Sequence, residues 1–357
     1  MDPIARTIDA VTNHPFRPVA DGMTIEPSSE KAGVEDFSND DWLVRTRALR
    51  DLVRAGEREP GALVSALREE SAEVRYLAAA ALGILEADEG LDALHDLLTS
   101  APESTVRSQA AISLGQIAAP ASERVLEGAL SAEEHRDVEP QCRIALDAIR
   151  AGGESQRRMR ETVAALDERT FRDTRPGDVI ESASLPSVDG EEWLLEAHLS
   201  GRALLLLWVF ADWCPVCHHE FNDLIERKAD FERLGVEVAT LECHDTYRAG
   251  VMAGNHPKPR YWYSHRFENL EYGGRRWWPH VMDHGGALGA RVGVDPLAFA
   301  VHSEFVNRPA TVIVDPDGRV TMSYVGTFWG DRPTIGETLD MIESGRYEFR
   351  HPERSRS

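Results

Sequence analysis

Cys214 and Cys217 stand three positions apart in the run Cys214-Pro215-Val216-Cys217-His218-His219-Glu220, so thiols, imidazoles and a carboxylate crowd into seven residues. A thiol in the first turn of a helix is held as thiolate by the unpaired N–H groups there, which makes it a nucleophile. The chemistry on offer is attack by one sulfur, with the second sulfur closing a disulfide. Cys214, Cys217, His218 and His219 are also metal-ligand types. Adjacent histidines on a helix point in different directions, however, and a zinc site needs ligands converging from separate segments. No metal is therefore expected.

The pair needs a rigid turn. The apolar run from Ala203 to Trp208 predicts a buried strand, and Phe221, Leu224, Ile225 and Phe231 give helical spacing over 217–233. Strand, tight turn and helix follow in that order, with the cysteines at the turn. Downstream the pattern predicts strand 235–242, helix 286–292, strands 311–315 and 319–325 about the turn Asp315-Pro-Asp-Gly318, and helix 333–344. Upstream, Leu185 to Gly190 and Trp193 to Leu195 form a hairpin-like opening. Residues 244–285 interrupt the series with concentrated Trp, Tyr, Arg and His, the composition of a binding element.

The first half reads differently. Val74-Arg75 opens a segment that recurs at Val106-Arg107, 32 residues on, and again at Val138; Val44-Arg45 lies 30 residues before Val74. Second helices fall between, at 62–67, 90–98 and 122–130. A helix pair repeating every thirty-odd residues is a solenoid, each unit burying its face on the next. Cys142 sits on the apolar phase of the last unit, as a small core residue.

The net charge of −22 and pI near 5.0 argue against nucleic acid or an anionic membrane as the partner. The longest apolar stretch, 203–211, is about half of what a membrane span needs, and no basic-then-apolar leader begins the sequence. A cytoplasmic location is expected, where four cysteines do not make a disulfide framework. No Gly-rich dinucleotide fingerprint occurs, so no cofactor is expected and electrons must come through protein or small thiols.

Residues 40–152 resemble short HEAT-type repeats related to phycobilisome lyases, on the pattern Val-Arg-x-x-Ala-x-x-x-Leu; this implies a platform for protein–protein contact. Residues 177–346 resemble the AhpC/TSA redoxin branch of the thioredoxin superfamily, near the cytochrome-maturation thioredoxins and the peroxiredoxins. The matching pieces are Leu185-Pro-Ser-Val-Asp-Gly190, Ala211-Asp-Trp-Cys-Pro-Val-Cys217, and Asn307 through Gly318. The fold implied is α + α/β, a helical solenoid followed by a thioredoxin-like α/β/α domain. The expected limits are an arm at 1–36, repeats at 37–152, a charged linker helix at 153–176, the redoxin domain at 177–348 with 244–285 inserted, and a tail at 349–357.

The resemblance implies a thiol–disulfide oxidoreductase acting on a protein disulfide client and recharged by a protein or small-thiol reductant. In it Cys214 is the exposed attacking thiol and Cys217 the resolving one. Trp213 covers the turn, Pro215 tunes the potential, and Pro309 is cis beside the pair, with Arg308 and His218 flanking the substrate. Glu220 handles the resolving thiol's proton, although it also reads as a first-turn acid favoured by the helix dipole. Thioredoxins proper carry a buried Asp six residues before the first cysteine; here Trp208 stands there, which leaves proton transfer to Glu220, water or His218. The clientele is then restricted, selected by the repeats and by 244–285. Cys243, at the end of a strand, reads as a core residue or as a third redox sulfur.

Two other readings stay open. In a peroxiredoxin-like peroxidase Cys217 is the peroxidatic thiol, but the motif's proline falls on Phe210, its threonine on Cys214, and its later arginine on Pro309, one step from Arg308. In the other, the redoxin fold is a non-catalytic binding scaffold.

Overall fold

The computed structural model describes residues 33–39, 42–55, 60–132, 138–153, 157, 174–199, 201–212, 214–243, 246–255, 272–283, 286–294, 300–301, 304–305, 307–326 and 330–349. No helix among them is long and apolar enough to cross a membrane. The chain forms two compact units, residues 25–166 with 258–267, and residues 1–24, 167–257 and 268–357. Most of the expected linker helix, the arm up to residue 32, and the tail beyond 349 lie outside the described residues.

In the helical unit a 3-10 turn, Val34–Ser38, overlaps the end of the span expected as an arm and buries Phe37 just beyond it. Seven helices follow among the described residues: α1 (Trp42–Ala55), α2 (Gly61–Ala66), α3 (Ala72–Ile84), α4 (Leu91–Ser100), α5 (Ser104–Ile117), α6 (Glu123–Ala132) and α7 (Glu139–Arg150). The repeated Val-Arg segments fall on α1, α3, α5 and, with Val138 just ahead of it, α7; α3 packs on α5 and α5 on α7. These helices meet nearly backbone to backbone. A Cβ on Gly83 would lie 2.7 Å from Ser113 Cα, and one on Gly115 would lie 2.8 Å from Ala145 Cα. Contacts so short leave no room for a side chain, so Gly115→Val must push α5 and α7 apart. Overpacking of this kind costs about 1–3 kcal/mol, and the expected result is a lower Tm for the helical unit in a thermal melt. Cys142 is fully buried on α7, as its apolar phase predicts.

The second unit is a five-stranded sheet. Its elements are β1 (Ser184–Pro186), β2 (Glu192–Leu194), α8 (Leu195–His198), β3 (Ala203–Trp208), α9 (Pro215–Glu226), α10 (Lys228–Leu234), β4 (Val236–Glu242), α11 (Thr246–Met252), β5 (His280–Met282), α12 (Ala287–Arg291), β6 (Ala300–Val301), β7 (Glu304–Phe305), β8 (Ala310–Val314), β9 (Val320–Val325) and α13 (Ile335–Ser344). The strand order is β5-β4-β3-β8-β9, with β3, β4 and β5 parallel and β8 and β9 antiparallel to their inner neighbours. β1 and β2 pair as the opening hairpin. β3 is central and buried on both faces, which explains its unbroken run of leucines.

Alternation assigns the two faces. Leu204, Leu206, Trp208, Ala239, Leu241, Ala310, Val312 and Val314 share one core with Trp193, Leu288 and Val294. The intervening residues of those strands, Thr240 and Thr311 among them, therefore face the other layer. α9 belongs to that layer, because Phe221 packs edge-on against Trp278 and His280, both bonded to Thr240.

Two sequence expectations change here. The helix expected over 217–233 is two, broken at Arg227. The interruption at 244–285 is not one loop: it contains α11 and the edge strand β5, and its returning end is anchored on α9. There Gly273 N–H donates to Asn222 Oδ1 (2.9 Å), the Trp277 indole N–H donates to the Leu224 carbonyl (2.8 Å), and Tyr272 stacks on Phe221. Residues 256–271 lie outside the described residues.

Candidate active site

β3 ends at Trp208 and the chain turns through Ala211, whose carbonyl accepts the Cys214 N–H at 3.0 Å. Cys214 is the N-cap of α9, its sulfur accepting the Cys217 N–H at 3.4 Å, and Pro215 takes the first helical position, where a missing N–H costs nothing. Cys217 falls in the first turn. Its Sγ accepts the Phe210 N–H at 3.4 Å and lies 3.4 Å from Arg332 Nη2.

Arg332 comes from the segment between β9 and α13. Thr334 caps α13 by accepting the Glu337 N–H (3.2 Å), while Glu337 reaches back to the Thr334 N–H (2.9 Å), and this box fixes the segment's far end. The near end closes at Gly326, where a Cβ would lie 2.0 Å from the Asp331 carbonyl and 3.0 Å from Pro309 Cγ; only glycine fits there. Held so, the guanidinium forks onto Glu220, with Nε to Oε1 at 2.6 Å and Nη2 to Oε2, and donates through Nη1 to the Trp208 carbonyl. Arg332, Glu220, Cys214 and Cys217 are all buried.

Burial pushes the Cys214 thiol well up from its ordinary range, and its contact with Cys217 pushes it further. Burial acts the same way on Cys217, but the hydrogen bond from Cys214 and the charge of Arg332 outweigh it, and the Cys217 thiol is lowered. Burial raises Glu220 despite the opposing guanidinium, and Arg332 itself is held firmly charged, Glu220 and Cys217 overcoming its burial. The site thus favours a thiolate on the second cysteine.

His218, the next residue, has Nε2 2.6 Å from the Asp212 carbonyl and Nδ1 2.6 Å from the Tyr272 hydroxyl, which donates to the Met252 carbonyl at 2.7 Å. Both of its ring nitrogens are engaged, and no group of three or more His, Cys, Asp or Glu side chains fit to hold a metal occurs among the described residues. Beneath α9 runs a second buried network. The Trp278 indole N–H donates to Thr240 Oγ1 (3.0 Å), Thr240 Oγ1 lies 2.8 Å from His280 Nδ1, and His280 Nε2 lies 3.1 Å from Glu242 Oε2.

Two expectations are corrected. Cys214 is not exposed: it has no accessible surface. As N-cap its sulfur points back over its own helix to meet the Cys217 N–H, rather than outward. Pro309 is not cis, since no cis peptide bond occurs among the described residues. With the ordinary trans bond, lower by about 0.5–1 kcal/mol, its carbonyl accepts the Gly326 N–H at 2.7 Å and leads straight into β8. Arg308 donates from Nε to the Gly326 carbonyl at 2.8 Å, and the guanidinium beside Cys217 Sγ is that of Arg332. Glu220 is where the sequence put it, beside Cys217, but clamped by Arg332. Trp213 lies outside the described residues. Cys243 is buried just past the end of β4. Sequence reasoning missed Arg332 and the Thr240–His280–Glu242 network.

A sheet of this order, with a cysteine pair where the central strand turns into a helix, has the thioredoxin-like fold of redoxins. Residues 176–323 match the AhpC/TSA family, and residues 34–115 and 59–147 match HEAT repeats, so repeats precede a redoxin domain of the AhpC/TSA type. Among solved structures, peroxidoxin BcpB of Mycobacterium tuberculosis has a TM-score of 0.38 at 17% identity, over 48% of this chain and 99% of its own. A mutant of the peroxiredoxin 6 of Arenicola marina has a TM-score of 0.40 at 20% identity, over 48% of this chain and 73% of its own. No curated protein matches the sequence. The class is thiol oxidoreductase or peroxidase.

Proposed function

We propose that the redoxin unit is a thiol-dependent peroxidase in which Cys217 attacks and Cys214 resolves. One observation carries this reading: the Arg332 guanidinium lies 3.4 Å from Cys217 Sγ, so the negative sulfur is favoured there. The first step is attack of the Cys217 thiolate on a hydroperoxide. An S–O bond forms, the O–O bond breaks, and the departing oxygen takes up the proton that Cys217 gave up on ionising. The Cys214 thiol then displaces water from the Cys217 sulfenic acid, forming the Cys214–Cys217 disulfide. The two thiols have supplied two electrons to the peroxide, and an external dithiol, protein or small molecule, restores them by exchange. Both sulfurs are enclosed, which suits a small oxidant better than a protein disulfide. The helical repeats and residues 244–285 are the surfaces that would select the protein reductant.

A second reading, disulfide exchange initiated by Cys214, is favoured by that residue's N-cap position, where a sulfur receives helix N–H groups. Peroxide consumption with dithiothreitol as reductant separates the two. Cys217→Ser is expected to fall to background. Cys214→Ser, assayed without dithiothreitol, is expected to form one equivalent of sulfenic acid, trapped by dimedone, and then to stall without its resolving thiol. No peroxide consumption by the wild type, with a mixed disulfide accumulating on Cys214 in Cys217→Ser, would overturn the proposal in favour of exchange.

A further inference from the structure

We propose that the side-chain amide of Asn307 is the group that binds the hydroperoxide, an assignment that rests on the peroxidase reading. Asn307 has no accessible surface, and neither Oδ1 nor Nδ2 has a hydrogen-bond partner among the described residues. An amide taken out of water with donor and acceptor both unpaired is among the costlier groups to bury, and an aliphatic side chain of similar size would fill the same space at no such cost. A partner that arrives from solvent accounts for its presence.

Its place in the fold indicates which partner. β3 and β8 pair antiparallel, Leu207 with Thr311 and Trp208 with Ala310. Continued past that last pair, the register would set Pro309 level with Val209 and Asn307 level with Ala211, the residue whose carbonyl holds the Cys214 N–H. Asn307 thus stands at the end of the sheet where β3 turns into the cysteine pair. The two bonds that tie Arg308 and Pro309 to Gly326 fix the segment at that level, and Gly326 in turn abuts the residue before Arg332.

An amide matches a hydroperoxide group by group. Its carbonyl accepts the O–H of one oxygen, and its NH₂ donates to the other. A neutral donor–acceptor pair adds no charge beside the Cys217 thiolate, whereas a carboxylate there would oppose it. The ligand class is a small hydroperoxide, with hydrogen peroxide the simplest member.

Thr311 supplies an internal control. Its Oγ1 is also buried and without a partner among the described residues. It lies within the strand ladder opposite Leu207, below the turn.

The test uses the full chain, hydrogen peroxide and dithiothreitol, with Asn307→Leu, Asn307→Ala and Thr311→Val. Both Asn307 variants should raise KM for peroxide roughly tenfold, the worth of two neutral hydrogen bonds. Their kcat and Cys217 thiolate titration should stay near wild type, and Asn307→Leu should melt at a higher temperature, since it removes an unpaired amide. Thr311→Val should leave KM unchanged. An unchanged KM in the folded Asn307 variants would overturn the assignment. So would a lower Tm accompanied by a shifted thiolate titration, which would mark Asn307 as structural. Failure of the wild type itself to consume peroxide would instead sink the peroxidase reading and this assignment with it.

Discussion

Arg332→Met is expected to slow the reaction of Cys217 with peroxide at pH 7 by about ten- to a hundredfold and to raise the Cys217 pKa. Burial raises that thiol, while the hydrogen bond from Cys214 and then the guanidinium lower it, so removing the cation leaves only the Cys214 and Phe210 contacts to oppose burial. A hydrogen bond to a charged group is worth about 1.5–3 kcal/mol, and about 1.4 kcal/mol is a factor of ten. The same change strands the Glu220 carboxylate, which Arg332 holds in a two-point fork. A buried charge that loses its partner costs about 3–5 kcal/mol. Glu220 escapes part of that cost by taking up a proton, the direction in which burial already pushes it. Arg332→Met/Glu220→Gln removes the stranded charge and should recover stability without recovering the rate. The ultraviolet absorbance of the thiolate against pH, with stopped-flow peroxide kinetics, reads both effects. A double variant that regains the wild-type rate would show that Arg332 acts only by holding Glu220.

Much of the frame around this contact is written locally. The leucine run of β3, the helical spacing after Cys217 and the recurring Val-Arg segments are short-range periodicities. Hydrophobic burial enforces those periods, so strand, helix and repeat could all be read from them. The same physics explains what could not be read. β5 is three residues long and emerges from a stretch dense in Trp and Arg, with no alternation to mark it; its place in the sheet is set by Thr240 and the Trp278–His280 contacts. Arg332 meets Glu220 across 112 residues and sits ahead of a helix cap, where an arginine carries no local signal. The isomer of Pro309 depends on a difference smaller than one ordinary tertiary hydrogen bond can supply. Cys214 showed as a reactive residue type, but its enclosure depends on what folds over it. The two cysteines and Glu220 could thus be named from sequence, while Arg332, and with it the assignment of roles between the two sulfurs, required the fold.

Glu220→Gln should act on Cys217 in the opposite sense to Arg332→Met. The carboxylate's charge opposes a second negative charge on the neighbouring sulfur, and it also occupies the guanidinium. With a neutral amide in its place the thiolate becomes the main anion facing Arg332, so the Cys217 pKa should fall and the reaction below pH 7 should quicken several-fold. Stability should change its pH dependence as well. In the wild type Glu220 has a folded pKa above its ordinary value of 4.5. The folded state therefore binds more protons, and stability drops as pH rises through that window; the variant should lose this drop. Cys217 has a folded pKa below its ordinary 9.0, so its contribution grows as pH rises from the lowered value toward 9.0, and the variant should show this rise more steeply. At low pH the wild-type Glu220 is itself a neutral acid, so Arg332 faces no carboxylate in either protein and the two should differ least there. Urea melts at intervals between pH 4 and 9 measure the whole pattern. A Cys217 pKa that rises in Glu220→Gln would mean instead that the carboxylate accepts the thiol's proton, and the role suggested by resemblance to the cytochrome-maturation thioredoxins would displace the electrostatic one.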